Sequence, residues 1–373
     1  MKKVIISVLS VIFILFISLF VSGKTYLLKA FKSTYLSGHS TAHIHDKSSF
    51  DLAEVKKGTP QEWSLSTGYN QKSLTPKLND LLTSQKSIGF LTVKNGEIDF
   101  ENYWDEGGVN VSTNTFSMSK SIVGMLLGIA MQENKIQNVF QPVSDFLPEF
   151  TEGVDESQYF NHKLEIRHLL SMTAGLEWNE DYYSVSQTSE AYYGDNIKTQ
   201  MLNLKVVKEP GSEFEYQSAA SQLLGMVIEN ATGQSLAEYA SQHLWKKIGS
   251  ENDASWHTDN QGNELAFCCF NTTIRDMAKL GQLFLNKGKW NNEQVLPEPF
   301  IDISTQPSAK SSTYGYQWWI YDQNNTTAYY MKGHLGQYLI VIPDMDLVVV
   351  RFGHKHSKND IEVIISEIKK MYS

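Results

Sequence analysis

Apolar residues recur along this chain with a changing period, and each period predicts an element. Behind Lys2 and Lys3, residues 4–21 carry no charge, long enough for a helix to span a bilayer, which takes about 17 to 25 residues. Two β-rich runs, 88–93 and 98–103, flank Asn95-Gly96, a dipeptide that tolerates the left-handed backbone of a tight hairpin turn. Ile122, Val123, Met125, Leu126, Leu127, Ile129 and Ala130 then cover nearly every side of one helix, which predicts its complete burial. From about 134 to 256 the signals are helical and loop-like. Leu223, Leu224, Val227 and Ile228 line one face of a helix over 219–231, and Ser235 with Glu238 makes a capping box. Thr272 or Thr273 caps a further helix to about Leu285. β character returns over 314–321, 338–342 and 347–350, the last two joined by a Pro343-Asp344 turn into a hairpin. Ile361, Val363, Ile364, Ile365 and Ile368 make 359–371 an amphipathic helix that ends on Lys369 and Lys370, as the helix dipole favours.

These elements predict an α+β protein, an antiparallel sheet flanked by helices in an α/β sandwich, with an all-helical domain inserted. The α/β part is assigned to 51–133 and 257–373, the insertion to 134–256, a membrane anchor or signal to 1–23 and a juxtamembrane linker without readable chemistry to 24–50. At 373 residues and 41% hydrophobic content there is ample material for a core. The net charge of −9 comes with no basic stripe, which excludes a nucleic-acid partner. Cys268 and Cys269 are the only cysteines. Adjacent cysteines bond only through a strained ring, so two reduced, buried thiols are expected, with a vicinal disulfide as the alternative in an oxidising compartment. His43 with His45 and His354 with His356 are HxH pairs, but no carboxylate or cysteine stands at ligand spacing, so solvated histidines and no metal are expected. No organic cofactor and no obligate protein partner is implied.

Three short stretches carry chemistry. Ser117-Met118-Ser119-Lys120 opens the buried helix. Residues three apart share a helix face with Cβ atoms about 5 to 6 Å apart, so Lys120 can reach Ser117. Burial disfavours the ammonium and makes the amine a base for an otherwise weak hydroxyl nucleophile. Ser366 and Lys369 repeat the spacing, on a helix where the pair reads as solvent-facing and structural. Glu215-Tyr216-Gln217-Ser218 follows a Glu209-Pro210-Gly211 turn and precedes a helix. A nearby ammonium favours a phenolate, so Lys120 and Tyr216 are expected to share one proton, taking it from Ser117 and returning it to a leaving group. Lys332-Gly333-His334-Leu335-Gly336-Gln337 leads into the second hairpin. Its glycines let an acyl group approach a strand edge, and that edge can offer one of the two N–H donors an oxyanion needs.

In this order and spacing, SMSK, YQS and HLG resemble the three motifs of the serine β-lactamase and penicillin-binding superfamily. Residues 166–176 and 273–281 resemble its class C-like branch of esterases and 6-aminohexanoate-dimer hydrolases, and the likeness runs from about Ser87 to the C-terminus. It implies the β-lactamase/transpeptidase-like fold, Ser117 as acylated nucleophile, Lys120 and Tyr216 as proton carriers, and the amides of Ser117 and Gln337 as oxyanion donors. His334, Gly336 and Ser218 then face substrate, as does Tyr182, while Asp181 is a candidate for binding an amine. Ser218 stands where many relatives have asparagine and His334 where β-lactamases have lysine. A mostly neutral imidazole does not hold a substrate carboxylate as lysine would, which favours a serine hydrolase of esters or simple amides over a D-alanyl peptidase or β-lactamase. A membrane-tethered binding protein of the same fold is the remaining alternative.

A cleaved signal has a shorter apolar stretch, about 7 to 15 residues. The expectation is therefore an uncleaved anchor in the inner membrane with the enzyme on the periplasmic side. Cleavage near Gly23, after the small residue Val21, is the alternative, and Lys24, Lys29 and Lys32 place positive charge beyond the span as well.

Overall fold

The computed structural model describes the chain except residues 153–155, and no side chain is described for 2–6, 8, 9, 11, 12, 15 and 156–158. Its centre is a six-stranded antiparallel sheet. The strands are β1 (Ser87–Lys94), β2 (Glu97–Tyr103), β3 (Trp319–Gln323), β4 (Thr326–Gly333), β5 (Gln337–Ile342) and β6 (Leu347–Gly353), in the spatial order β2-β1-β6-β5-β4-β3. Both ends of the chain thus meet where β1 pairs with β6, Val350 opposite Leu91.

Successive side chains of a strand point to opposite faces, and here both faces are buried. Leu91, Val93, Leu339, Val341, Val348 and Val350 face a core shared with α1 (Met118–Gln132), α2 (Ser218–Thr232) and α3 (Ile274–Leu285). Phe90, Tyr338, Ile340, Ile342 and Val349 face a second core with Leu78, Leu82, Ile364, Ile365 and Ile368, the last three from α4 (Asp360–Met371). Helix α3 lies so close to the sheet that a Cβ on Gly281 would sit 2.6 Å from Val348 Cγ1. Thr273 is its cap, the hydroxyl accepting from the Asp276 amide at 3.2 Å. Ser366 bonds back to the Val363 carbonyl on α4, far from Ser117 in structure as in sequence.

A second, smaller antiparallel sheet joins Asp51–Val55, Ala254–Thr258, Phe270–Thr272 and Thr113–Asn114. Its strand Ala254–Thr258 crosses the boundary expected at 256, and Thr113–Asn114 leads directly to Ser117. Strand β4 was not among the runs read from sequence. It follows Asn324 and Asn325, both in the left-handed region (φ 54° and 53°), a two-residue hairpin turn of the kind asparagine tolerates.

Segment 24–50 does more than link. Tyr26–Ser33 is a helix, Ile44 is buried, and the Ile44 carbonyl accepts from the Asn114 amide at 2.9 Å. Asp46, 1% exposed, accepts from Tyr192 Oη at 2.6 Å and Asn114 Nδ2 at 3.1 Å, and burial pushes its carboxyl up to about 6.

Cys268 and Cys269 are joined in a vicinal disulfide. The expectation of two free thiols is thereby corrected; Cys269 takes φ +73°, a backbone state that lets adjacent sulfurs meet. Residues Lys2–Val21 are helical. Among the described residues no helix is long and apolar enough to cross a membrane, and the expected anchor falls in part on side chains outside them.

Replacing Gly281 by valine drives an isopropyl group, three extra carbons, into the α3–sheet contact. Such overpacking costs about 1–3 kcal/mol, and chemical denaturation is expected to show that loss with no change in the chemistry at Ser117.

Candidate active site

Ser117 caps α1, and the backbone reaches it through Phe116 at φ +50°, a left-handed state that a bulky residue adopts only when its surroundings enforce it. They do so here. The Phe116 amide donates to Asn114 Oδ1 at 2.9 Å, and Ser119 Oγ donates to the Phe116 carbonyl at 2.8 Å while accepting from the Phe270 amide at 3.0 Å. Asn114 is in turn held by Asp46 and Tyr192 at 3.1 Å each. Ser117 therefore stands on a turn clamped from the N-terminal segment and from the small sheet.

Lys120 lies one turn on, 1% exposed. Its Nζ is 3.1 Å from Ser117 Oγ, 3.1 Å from Ser218 Oγ and 2.7 Å from the Phe267 carbonyl. Three acceptors match the three protons of an ammonium, yet burial lowers its pKa to about 8, Glu180 offsetting part of the shift. Tyr216 packs against the same amine, its ring centroid 5.1 Å from Nζ, and the Ser117 hydroxyl beside it works to lower its pKa. Trp319 and Tyr314 wall the ring in at 5.5 and 6.1 Å. Burial, and after it the Glu180 charge, raise the Tyr216 pKa above its ordinary value. Against a proton shared by the two, burial favours the protonated phenol of Tyr216 and the neutral amine of Lys120.

Glu180 was missed in the sequence. Its carboxylate accepts from the Ser218 amide at 2.7 Å, Ser218 Oγ at 2.6 Å, Trp178 Nε1 at 2.6 Å and the Tyr182 hydroxyl. Lys120, Ser218 and Glu180 thus form one chain of hydrogen bonds. Ser218, expected to face substrate, is buried inside that chain. Asp181, the neighbour singled out from sequence, points elsewhere: it is half-buried and accepts from the Tyr183 amide and Ser184 Oγ. The local signal was the Trp178-to-Tyr183 loop itself; which of its two carboxylates turns inward depends on the path of that loop.

The cavity before Ser117 is narrow, about 50 Å³, and Tyr182, His334, Phe116, Cys268, Thr41 and Ala42 are among its walls. The Tyr182 ring lies over His334 at 5.9 Å, and His334 Nε2 is 3.4 Å from Thr41 Oγ1. Burial lowers the His334 pKa to about 4, so the imidazole is neutral at pH 7. The Leu335-Gly336 turn has φ of +61° and +81°. Gly333 brings the strand against the segment before Ser117, since a Cβ there would sit 2.2 Å from the Thr115 carbonyl oxygen, and Gln337 pairs with Gly333. At Gly336 the close approach comes from inside the protein, a Cβ meeting Arg351 Nη1 at 2.2 Å.

Away from this cleft, His45 and His354 converge on Glu106 at 3.4 and 2.5 Å. A carboxylate absent at ligand spacing in the sequence thus joins them in space. Among the described residues no group of three or more His, Cys, Asp or Glu is arranged to hold a metal ion.

A base with a pKa of about 8 is active only when unprotonated, so acylation should rise with pH and level off above about 8. Glu180→Gln removes the charge that raises Lys120, and the rising limb of the kcat/KM profile is expected to move to lower pH.

Comparison with known proteins completes the picture. Residues 83–364 match the family model described as Beta-lactamase. The chain is 24% identical over 300 residues to a 6-aminohexanoate-dimer hydrolase of Paenarthrobacter ureafaciens, covering 74% of each protein. A Bacillus anthracis structure provisionally described as a 6-aminohexanoate-dimer hydrolase superposes with a TM-score of 0.76 at 26% identity, over 88% of this chain and 91% of that one. EstCE1, a hydrolase with promiscuous acyltransferase activity, shares the fold at a TM-score of 0.63 and 17% identity, over 78% and 98%. With its antiparallel sheet flanked by helices and a serine-lysine pair at the head of the buried helix, this chain belongs to the β-lactamase family of serine hydrolase fold.

Proposed function

We propose that this protein hydrolyses neutral esters or simple amides through an acyl-enzyme on Ser117. One observation carries the reading: the Lys120 amine, with a pKa of about 8, lies 3.1 Å from Ser117 Oγ. Lys120 takes the proton as Ser117 attacks the carbonyl. The protonated Tyr216 supplies a proton to the leaving group, and water enters by the reverse path to release the acid. The amides of Ser117 and Gln337 receive the oxyanion. His334, neutral in the cavity wall, gives no fixed positive charge for a carboxylate, which favours uncharged acyl groups over penicillins and D-alanyl peptides. The similarity to a 6-aminohexanoate-dimer hydrolase is compatible with an amide.

We further propose that residues 1–23 anchor the enzyme in the inner membrane with the catalytic part on the periplasmic side. The uncharged run 4–21, the exposed Phe13, Phe16, Phe20 and Val21, and a vicinal disulfide suited to an oxidising compartment support it.

A fluorophosphonate probe should label the intact protein, and Ser117→Ala should abolish labelling and lower turnover of p-nitrophenyl esters at least about 10³-fold. Nitrocefin and D-Ala-D-Ala peptides should be poor substrates; faster turnover of either, or an unlabelled folded protein, overturns the assignment. In cell fractions the protein should stay with membranes after a carbonate wash and be released by deletion of 1–23, whereas a mature chain beginning after Gly23 would refute the anchor.

A further inference from the structure

The cavity before Ser117 has a wall that comes from outside the helices holding Ser117 and Lys120. Thr41 and Ala42, on the stretch between the helix Tyr26–Ser33 and the strand Asp51–Val55, line it together with Ser117 itself. That stretch is fastened on both sides of them. Beyond Ala42, Ile44 is buried and its carbonyl accepts from the Asn114 amide at 2.9 Å. Asp46 accepts from Asn114 Nδ2 and Tyr192 Oη, and Tyr192 is another wall of the same cavity. Before Thr41, the His39 amide donates to the Thr34 carbonyl at 3.0 Å, and the His39 ring stacks on His43 at 3.9 Å. Thr41 Oγ1 also reaches His334 Nε2 across 3.4 Å. The stretch is thus a strap with both ends held, and closely packed atoms of this kind resist added volume. Thr41 and Ala42 themselves are only half-buried, so their side chains can be changed without opening the core.

The cavity holds about 50 Å³. A water-sized group takes about 10–15 Å³ of such space, which leaves room for a chain of roughly three to five heavy atoms. Ala42, Phe116, Tyr192, Tyr193 and Cys268 give it walls rich in carbon, and among the described residues no Asp, Glu, Lys or Arg lines it. A charged chain would lose its hydration there with no partner, whereas burial of uncharged methylenes is favourable. We infer that Thr41 and Ala42 are specificity-determining residues, closing the cavity around a short uncharged chain of about four carbons next to the carbonyl that Ser117 attacks. This rests on the reading of Ser117 as nucleophile, and it narrows the substrates from neutral esters and simple amides to those with a short chain on one side of the scissile bond.

The test measures kcat/KM of the full-length protein in two series, p-nitrophenyl esters from acetate to octanoate and alkyl acetates from methyl to octyl. Wild type should show a break in one series, a loss of about 10-fold or more for one methylene beyond the limit. A break in the first series puts the acyl chain in the cavity, and a break in the second puts the alcohol there. Ala42→Gly removes a methyl and should move the break outward by about one carbon. Ala42→Leu should move it inward and lower the four-carbon ester relative to the shortest one by about 10-fold. Thr41→Ser, which also removes a methyl, should move the break outward and carries the comparison if Ala42→Leu does not fold. Thr41→Val keeps the shape while losing the hydroxyl near His334, and the break should stay in place. A break at the same length in wild type and in the folded Ala42 and Thr41→Ser variants overturns the role of the strap. Wild-type rates without a break in either series overturn the short chain, and absence of fluorophosphonate labelling overturns the nucleophile instead.

Discussion

The desolvated amine of Lys120 is the constraint on which the rest depends. Moving a lysine pKa from 10.5 to about 8 favours the neutral form by roughly 3 kcal/mol, at 1.36 kcal/mol per unit. That shift requires a site closed on every side. Helix α1 accordingly has no exposed face over Met118–Ala130, and the partners of Lys120 come from three separate elements, α1 through Ser117, the start of α2 through Ser218 and the loop before Phe270 through Phe267. Two helices and the loop that leads into the small sheet thus meet at one nitrogen.

Around that nitrogen the charges are ordered so that different groups hold protons. Glu180 stands behind Ser218, raises the amine and raises Tyr216. The phenol thus remains an acid while the amine becomes available as a base. Two groups whose environments push them apart in this way can divide acid and base roles in one cycle. The cleft in front is uncharged by comparison, with a neutral His334 under the Tyr182 ring and the N-terminal Thr41 and Ala42 closing one side. Segment 24–50 is thereby part of the wall of the cavity before Ser117.

Much of this could be read from the chain. The β1–β2 hairpin follows from Asn95-Gly96, α1 from its unbroken apolar surface, α3 from Thr273, and α4 from its isoleucines, because each is a local periodicity with a local stop signal. Strand β4 escaped because Asn324 and Asn325 turn the chain as tightly as an Asn-Gly pair but carry a weaker signature. The disulfide escaped because adjacency argues against a bond unless the backbone takes a left-handed state, which residue type alone does not reveal.

Sequence alone determined which reactive groups exist and that Ser117 and Lys120 share a helical face, since a spacing of three is geometry that a helix enforces without help. It also carried the kinship with a superfamily, because three motifs in order are improbable otherwise. Only the tertiary structure decided that Glu180 rather than Asp181 turns inward, that burial favours the protonated Tyr216, that Asp46 braces the turn at Ser117 through Asn114, and that Arg351 grips the Gly336 carbonyl. Those facts depend on which distant segments are neighbours and on how far water is excluded, and neither distance nor desolvation is a property of any short stretch of chain.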